Sequence, residues 1–232
     1  MNDLAFKNGP TLWKQLIAIT ENVLKAPAIV AGGAVRDYKL GLEPKDIDIF
    51  VPVKIELDLE FAIPEFKKHD LELSVFMPDT EIKDGYFLDQ EEVDDGLFQA
   101  EVKGVLDGTF GPLKVQIIAR PCDPFTGETV VSKFDLSICQ AWYDGDVHYS
   151  NACTESFQTK EVKLLRRDTR ARMKRSRERF DRFNKRAGGE FKWDGADQKK
   201  AVVKKGSSWG TALYTVRDDY LALNVDDLRI DW

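Results

Sequence analysis

Residues 46 to 51 read Asp-Ile-Asp-Ile-Phe-Val, and this run constrains the fold more than any other in the chain. Strand side chains repeat every two residues, so the alternation predicts a strand with Asp46 and Asp48 on one face and isoleucines on the other. The second face is wholly apolar, which places the strand centrally in a sheet. There, two like charges side by side destabilise the fold unless a cation lies between them. Eight residues before this run stands Ile29-Val-Ala-Gly32-Gly33-Ala-Val35-Arg36-Asp37. It reads as a strand at 28 to 31, paired glycines, and a short helix from Val35 to Leu40. Glycines after a strand let the backbone approach a phosphate closely, and a helix start offers unpaired amides to an anion. Arg36 can contact phosphate or buttress the loop, and Asp37 can lock that arginine. Two aspartates one residue apart can hold two hard cations, as activation of a hydroxyl and stabilisation of pyrophosphate require.

The rest of the chain is consistent with one α/β (α+β) unit to about residue 155, followed by a basic, mainly helical region over 156–232. The spacing predicts helices at 10 to 25, 57 to 69 and 126 to 133. Strands are expected at 71 to 77, 97 to 105, 113 to 119 and 134 to 143, and Asp144-Gly145 turns the last into a return strand at 147 to 150. The acid-rich stretch 79 to 96 reads as a solvated loop, and a helical pattern begins near 160. The 232 residues, 43% hydrophobic, supply one substantial core or a core plus a smaller appendage.

Composition narrows the function classes. Nothing approaches the run of about 20 apolar residues that a membrane span needs, and the N-terminus lacks a signal-peptide pattern. Cys122, Cys139 and Cys153 are odd in number and form no Cys-x-x-Cys pair, so they read as reduced thiols of a cytoplasmic protein, and zinc is not expected. The net charge of −6 argues against a general nucleic-acid binder. Its distribution argues otherwise, because residues 160 to 192 are strongly basic and include Arg166, Arg167, Arg170, Arg175 and Arg179. Such a stripe is either a solvated amphipathic helix with intrahelical ion pairs or a face for phosphate. Its position directly after the aspartate-bearing unit favours RNA or triphosphate contact.

Taken together, Gly-Gly-Ala-Val-Arg-Asp-Tyr-Lys-Leu-Gly-Leu-Glu-Pro-Lys-Asp-Ile-Asp-Ile-Phe-Val resembles the head-domain signature of bacterial-type tRNA CCA-adding enzymes and poly(A) polymerases, members of the polymerase-beta nucleotidyltransferase superfamily. The resemblance implies a mixed sheet with flanking helices and a magnesium-dependent transfer of NMP from a nucleoside triphosphate, ATP included, to an acceptor hydroxyl. It implies two Mg2+ ions on Asp46 and Asp48, a triphosphate cradle at Gly32, Gly33, Arg36 and Asp37, and a tRNA-like 3′ end as acceptor. A protein or small-molecule acceptor, or a binding module without turnover, is the alternative. Lys133-Phe134-Asp135, followed by a strand-like run and Tyr143-Asp144, is similar to the family's later Arg-Arg-Asp motif, but Lys133 and Phe134 replace the arginines. Asp135 is retained as a contact to the sugar or as a third carboxylate. Gln116 stands where many superfamily members carry an acid. The family's base-selecting Glu-Asp-x-x-Arg motif is absent from residues 151 to 232, so base specificity is not carried over.

Overall fold

The computed structural model describes residues 9–52, 59–75, 102, 104–166, 170–195, 202–204, 213–216 and 219–222. Its body is a seven-stranded mixed sheet. The chain runs α1 (Gly9–Leu24), β1 (Ile29–Ala31), α2 (Gly33–Lys39), β2 (Ile47–Pro52), α3 (Leu59–Lys67), β3 (Leu71–Val75), β4 (Gly104–Phe110), β5 (Leu113–Arg120), α4 (Gly127–Val131), β6 (Ala141–Tyr143) and β7 (Val147–Tyr149). Strand order across the sheet is β3-β4-β5-β2-β1-β6-β7, and the β2–β5 pair alone among these neighbours is parallel.

β2 lies in the interior, as its apolar face requires. Every residue from Ile47 to Pro52 is buried except Asp48, which is half-buried. Ile47, Ile49 and Val51 join Trp13, Leu16, Phe66 and Leu71 in the core beneath α1 and α3. Phe50 points the other way and packs with Ile29, Ala31, Val105, Ile118, Val130 and Val131, where α4 covers the sheet. Thr126 starts α4 by accepting a hydrogen bond from the Thr129 amide at 3.1 Å.

Three elements depart from the sequence-based expectation. Of the strand expected at 97 to 105, residues 97–101 and 103 lie outside the described residues; the described strand continues past 105 to Phe110, and β4 and β5 form a hairpin through Gly111-Pro112. Gly111 has φ 57°, the sign a type II′ hairpin needs at its first central position, and proline suits the second. The strand expected from Phe134 to Tyr143 is shortened to Ala141–Tyr143, because Ser137–Cys139 forms a 3₁₀ turn. That turn is fixed by buried polar contacts: Ser137 Oγ lies 2.7 Å from Ser156 Oγ and accepts from the Lys163 amide at 2.8 Å. The helical pattern expected from 160 opens instead with α5 (Asn151–Thr159) already complete and β8 (Glu161–Lys163) in parallel pairing with β9 (Lys192–Asp194). The long basic helix α6 (Arg170–Arg186) lies between them in sequence. Phe180, Phe183 and Phe191 pack with Leu136, Ile138, Val162 and Leu164 in a second core. Strands β10 (Val202–Lys204), β11 (Leu213–Val216) and β12 (Asp219–Ala222) form a separate antiparallel sheet. The expected loop at 79 to 96 lies outside the described residues.

Among the described residues, no helix is long and apolar enough to cross a membrane. The three cysteines are free thiols, Cys139 and Cys153 buried and Cys122 half-buried.

Candidate active site

The β1–α2 turn is built by Gly32. Its φ of 89° and ψ of −131° suit glycine, and its amide donates to the Ala141 carbonyl at 2.8 Å, tying the turn to the neighbouring strand β6. A Cβ at Gly32 would lie 3.3 Å from the Phe134 ring and 3.9 Å from Asp48 Oδ2. The glycine turn, Phe134 and the Asp48 carboxylate therefore meet at one place. Asp46 lies one residue before β2, half-buried, and the intervening Ile47 is buried in the helix-covered core. The two aspartates thus share the opposite side of the sheet. Gly33 is more open, since a Cβ there would first meet Arg36 Nη2 at 3.6 Å.

Three residues outside the two motifs belong to this face. In the sheet register Asp48 pairs with Gln116 on β5, and Gln116 pairs with Asp107 on β4. Gln116 Nε2 donates to Asp107 Oδ1 at 2.7 Å. Arg120, on the same side of β5 two alternations later, is buried, with its guanidinium 6.0 Å from the centre of the Phe134 ring. Phe134 in turn lies 5.6 Å from Phe50.

Arg36, Asp37 and Asp135 sit elsewhere, in ionic contacts between α2, the 3₁₀ turn and α6, with Arg36 and Asp37 buried and Asp135 half-buried. Arg36 Nε donates to Asp37 Oδ1 at 2.7 Å, its Nη1 donates to the Cys139 sulfur at 3.2 Å, and its guanidinium lies 4.2 Å over the Phe183 ring. Asp37 also pairs with Arg186 at 3.0 Å, and Arg186 donates to the Glu43 carbonyl. Asp135 accepts from Ser176 Oγ at 2.5 Å and from Arg179 at 3.3 Å. Burial alone would raise the pKa of Asp135, but Arg179, the Ser176 hydroxyl and nearby backbone amides outweigh it and hold the carboxyl below its ordinary value. Of the basic residues, Arg166 donates to the Lys133 carbonyl at 3.2 Å, Arg175 is half-buried on α6, and Arg170 begins that helix. Arg167 lies outside the described residues.

Among the described residues, no group of three or more His, Cys, Asp or Glu side chains gathers as a metal cluster. Two half-buried aspartates nevertheless suit magnesium, which usually takes one or two carboxylates and fills its octahedron with substrate oxygens and water. By donor chemistry Asp46 and Asp48 fit that ion.

The fold has solved relatives. The chain superposes on a tRNA-processing enzyme in an apo form with a TM-score of 0.51, at 17% identity, over 77% of this chain and 44% of that one. The chain shares that structure's fold. Weaker matches include the Thermotoga maritima CCA-adding enzyme complexed with tRNA (TM-score 0.42, 16% identity, 67% of this chain and 32% of that one). A tRNA nucleotidyltransferase complexed with a primer tRNA and an incoming ATP analogue also matches (TM-score 0.42, 16% identity, 65% and 39%). The chain spans less than half the length of these structures. No family model and no curated protein sequence matches it.

Proposed function

We propose that this chain is a nucleotidyltransferase that moves NMP from a nucleoside triphosphate to the hydroxyl of an RNA 3′ end. One observation carries the reading: the Asp48 carboxylate abuts the Gly32 turn, 3.9 Å from where a Cβ would be, on the side of a central strand opposite Ile47 and Ile49. Asp46 and Asp48 would hold two magnesium ions, which when bound supply charge neutralisation at the α-phosphate and at the departing pyrophosphate. The chain's own work is to bind and orient. Gly32 shapes a turn whose backbone approaches the triphosphate, with Gly33 leaving room beside it. Asp46 and Asp48 direct negative oxygens at the ion site and align the acceptor hydroxyl in line with the bond to be broken. Arg36 and Asp37 support the cradle from beneath by fixing α2 against α6. Asp135 fixes α6 against the turn that carries Phe134. Arg166, Arg175 and Arg179 line the region proposed to receive the RNA backbone. The two regions, 1–155 and 156–232, act as catalytic unit and RNA-side support, and tRNA is the acceptor class proposed because the structures of like fold process tRNA.

A second reading follows from Gln116. A neutral residue beside Asp48 lowers the negative charge of the site, which favours a triphosphate-binding module with slow turnover or with a protein or small-molecule acceptor. Incubation with total RNA, magnesium and each labelled nucleoside triphosphate in turn separates the readings. Label on RNA that is lost by at least about a thousandfold in Asp48→Asn, with the fold intact, is the expected result. Comparable labelling by Asp48→Asn would sink the assignment. Label on protein, or triphosphate binding without pyrophosphate release, would transfer it to the second reading.

A further inference from the structure

The sheet register places Asp48, Gln116 and Asp107 in one row across β2, β5 and β4, all half-buried. Neighbouring strands lie about 4.8 Å apart, so the Gln116 amide is flanked by a carboxylate on each side. Either carboxylate can accept a hydrogen bond from its NH2 group. The structure gives that group to Asp107, with Gln116 Nε2 to Asp107 Oδ1 at 2.7 Å. An ionised carboxylate only accepts, so the terminus facing Asp107 must be nitrogen, and the amide oxygen is the opposite terminus of the planar group, away from Asp107. An oxygen held near the Asp48 carboxylate is unfavourable by itself and favourable once a cation shares the two.

We propose that Asp107 is a positioning residue that orients Gln116, so that a neutral amide oxygen completes the divalent-cation site begun by Asp46 and Asp48. The inference rests on the nucleotidyltransferase reading of that site. Asp107 does not itself ligate the ion at Asp48. Two strand spacings, about 10 Å, separate the backbones that carry them, whereas magnesium ligands sit about 2.1 Å from the metal. Its effect passes through the amide, which is why the acceptor atom at position 107 matters and the charge does not.

Manganese(II) binding to the full chain, followed by electron paramagnetic resonance without nucleotide, tests this apart from activity. Asp107→Ala releases the amide to turn its NH2 group toward Asp48, and affinity should fall about tenfold, the usual effect of losing a group that orients a metal ligand. Asp107→Asn keeps an acceptor oxygen and should retain most of the affinity. Gln116→Leu should lose as much as Asp107→Ala, and the double variant no more than either. Unchanged binding in Asp107→Ala, equal loss in Asp107→Asn, or additive losses in the double variant would each overturn the proposal. Thermal melts identify any variant that fails to fold, and Gln116→Leu then decides alone, with unchanged affinity overturning the idea. If Asp48→Asn abolishes binding while Asp107→Ala does not, this inference fails and the wider reading stands. If the wild type binds no manganese, both fall.

Discussion

Two charged regions of this fold behave oppositely in space. On the sheet, Asp46, Asp48, Gln116 and Asp107 form a half-buried face rich in carboxylate and poor in cations. Beneath α6, Arg36, Asp37 and Arg186 form a set in which charge is matched by opposite charge and hydrogen bonds, with Asp135 and Arg179 nearby as a second pair. The first arrangement is costly to the fold and useful to a ligand. The second supports the fold and leaves little for a ligand. Removing a charge from the first should therefore cost function and not stability, and removing one from the second should do the reverse.

Arg36 gives the largest expected effect on stability. Arg36→Met keeps much of the apolar stem but removes the guanidinium over Phe183 and leaves Asp37, 1% exposed, with Arg186 as its remaining partner. Breaking one side of a buried pair typically costs about 3–5 kcal/mol, and a value near the lower end is expected here because Arg186 stays. Urea denaturation checks this, with Asp48→Asn expected to show no loss in the same measurement. Equal destabilisation by both variants would erase the distinction between the two regions.

Asp135 sharpens the comparison through pH. Asp135→Asn keeps an acceptor for Ser176 but gives up the charge facing Arg179, a change expected to cost about 2 kcal/mol at neutral pH. Because the folded-state pKa lies below the unfolded one, the stabilisation is fully present above the ordinary aspartate value of about 3.9 and is lost as pH falls through the folded pKa. Stability curves of wild type and variant should therefore converge as pH falls below about 4. A gap that stays constant would mean that packing, not ionisation, carries the effect.

The contrast also explains what was legible beforehand. Binary alternation in Asp46–Val51 gave away a central strand, because one face had to be apolar throughout. The glycine pair located the turn, since few residues other than glycine adopt φ 89°. The Arg36–Asp37 pair was legible, but their other partners and that of Asp135 were not, because Cys139 and Phe183 beside Arg36, Arg186 beside Asp37 and Ser176 beside Asp135 come from elements more than 35 residues away. Asp107 was within reach. Once the β4–β5 hairpin is centred on Gly111-Pro112, counting outward pairs Phe110 with Leu113 and Asp107 with Gln116. Reading the strand as 97 to 105 misplaced the hairpin and hid that pair. The 3₁₀ turn at Ser137–Cys139 escaped because its composition, Leu-Ser-Ile-Cys, is that of a strand, and only the distant Ser156 and Lys163 bend it.

The adjacent glycines offer the finest test, since sequence treats them alike and structure does not. Gly32→Ala forces an L-residue to φ 89° and sets its Cβ 3.3 Å from the Phe134 ring. The backbone strain alone costs about 1–2 kcal/mol. Gly33→Ala meets only the end of a long arginine side chain, at 3.6 Å, and lies at the first position of α2, where alanine is the better helix former. Its stability should stay within about 0.5 kcal/mol of wild type or rise slightly. Melting temperatures separate the two. Activity then says what Gly33 is for: a stable Gly33→Ala protein with weakened triphosphate binding places a ligand against that residue's backbone. A stable variant with full binding assigns the cradle to Gly32 and the Asp48 face alone.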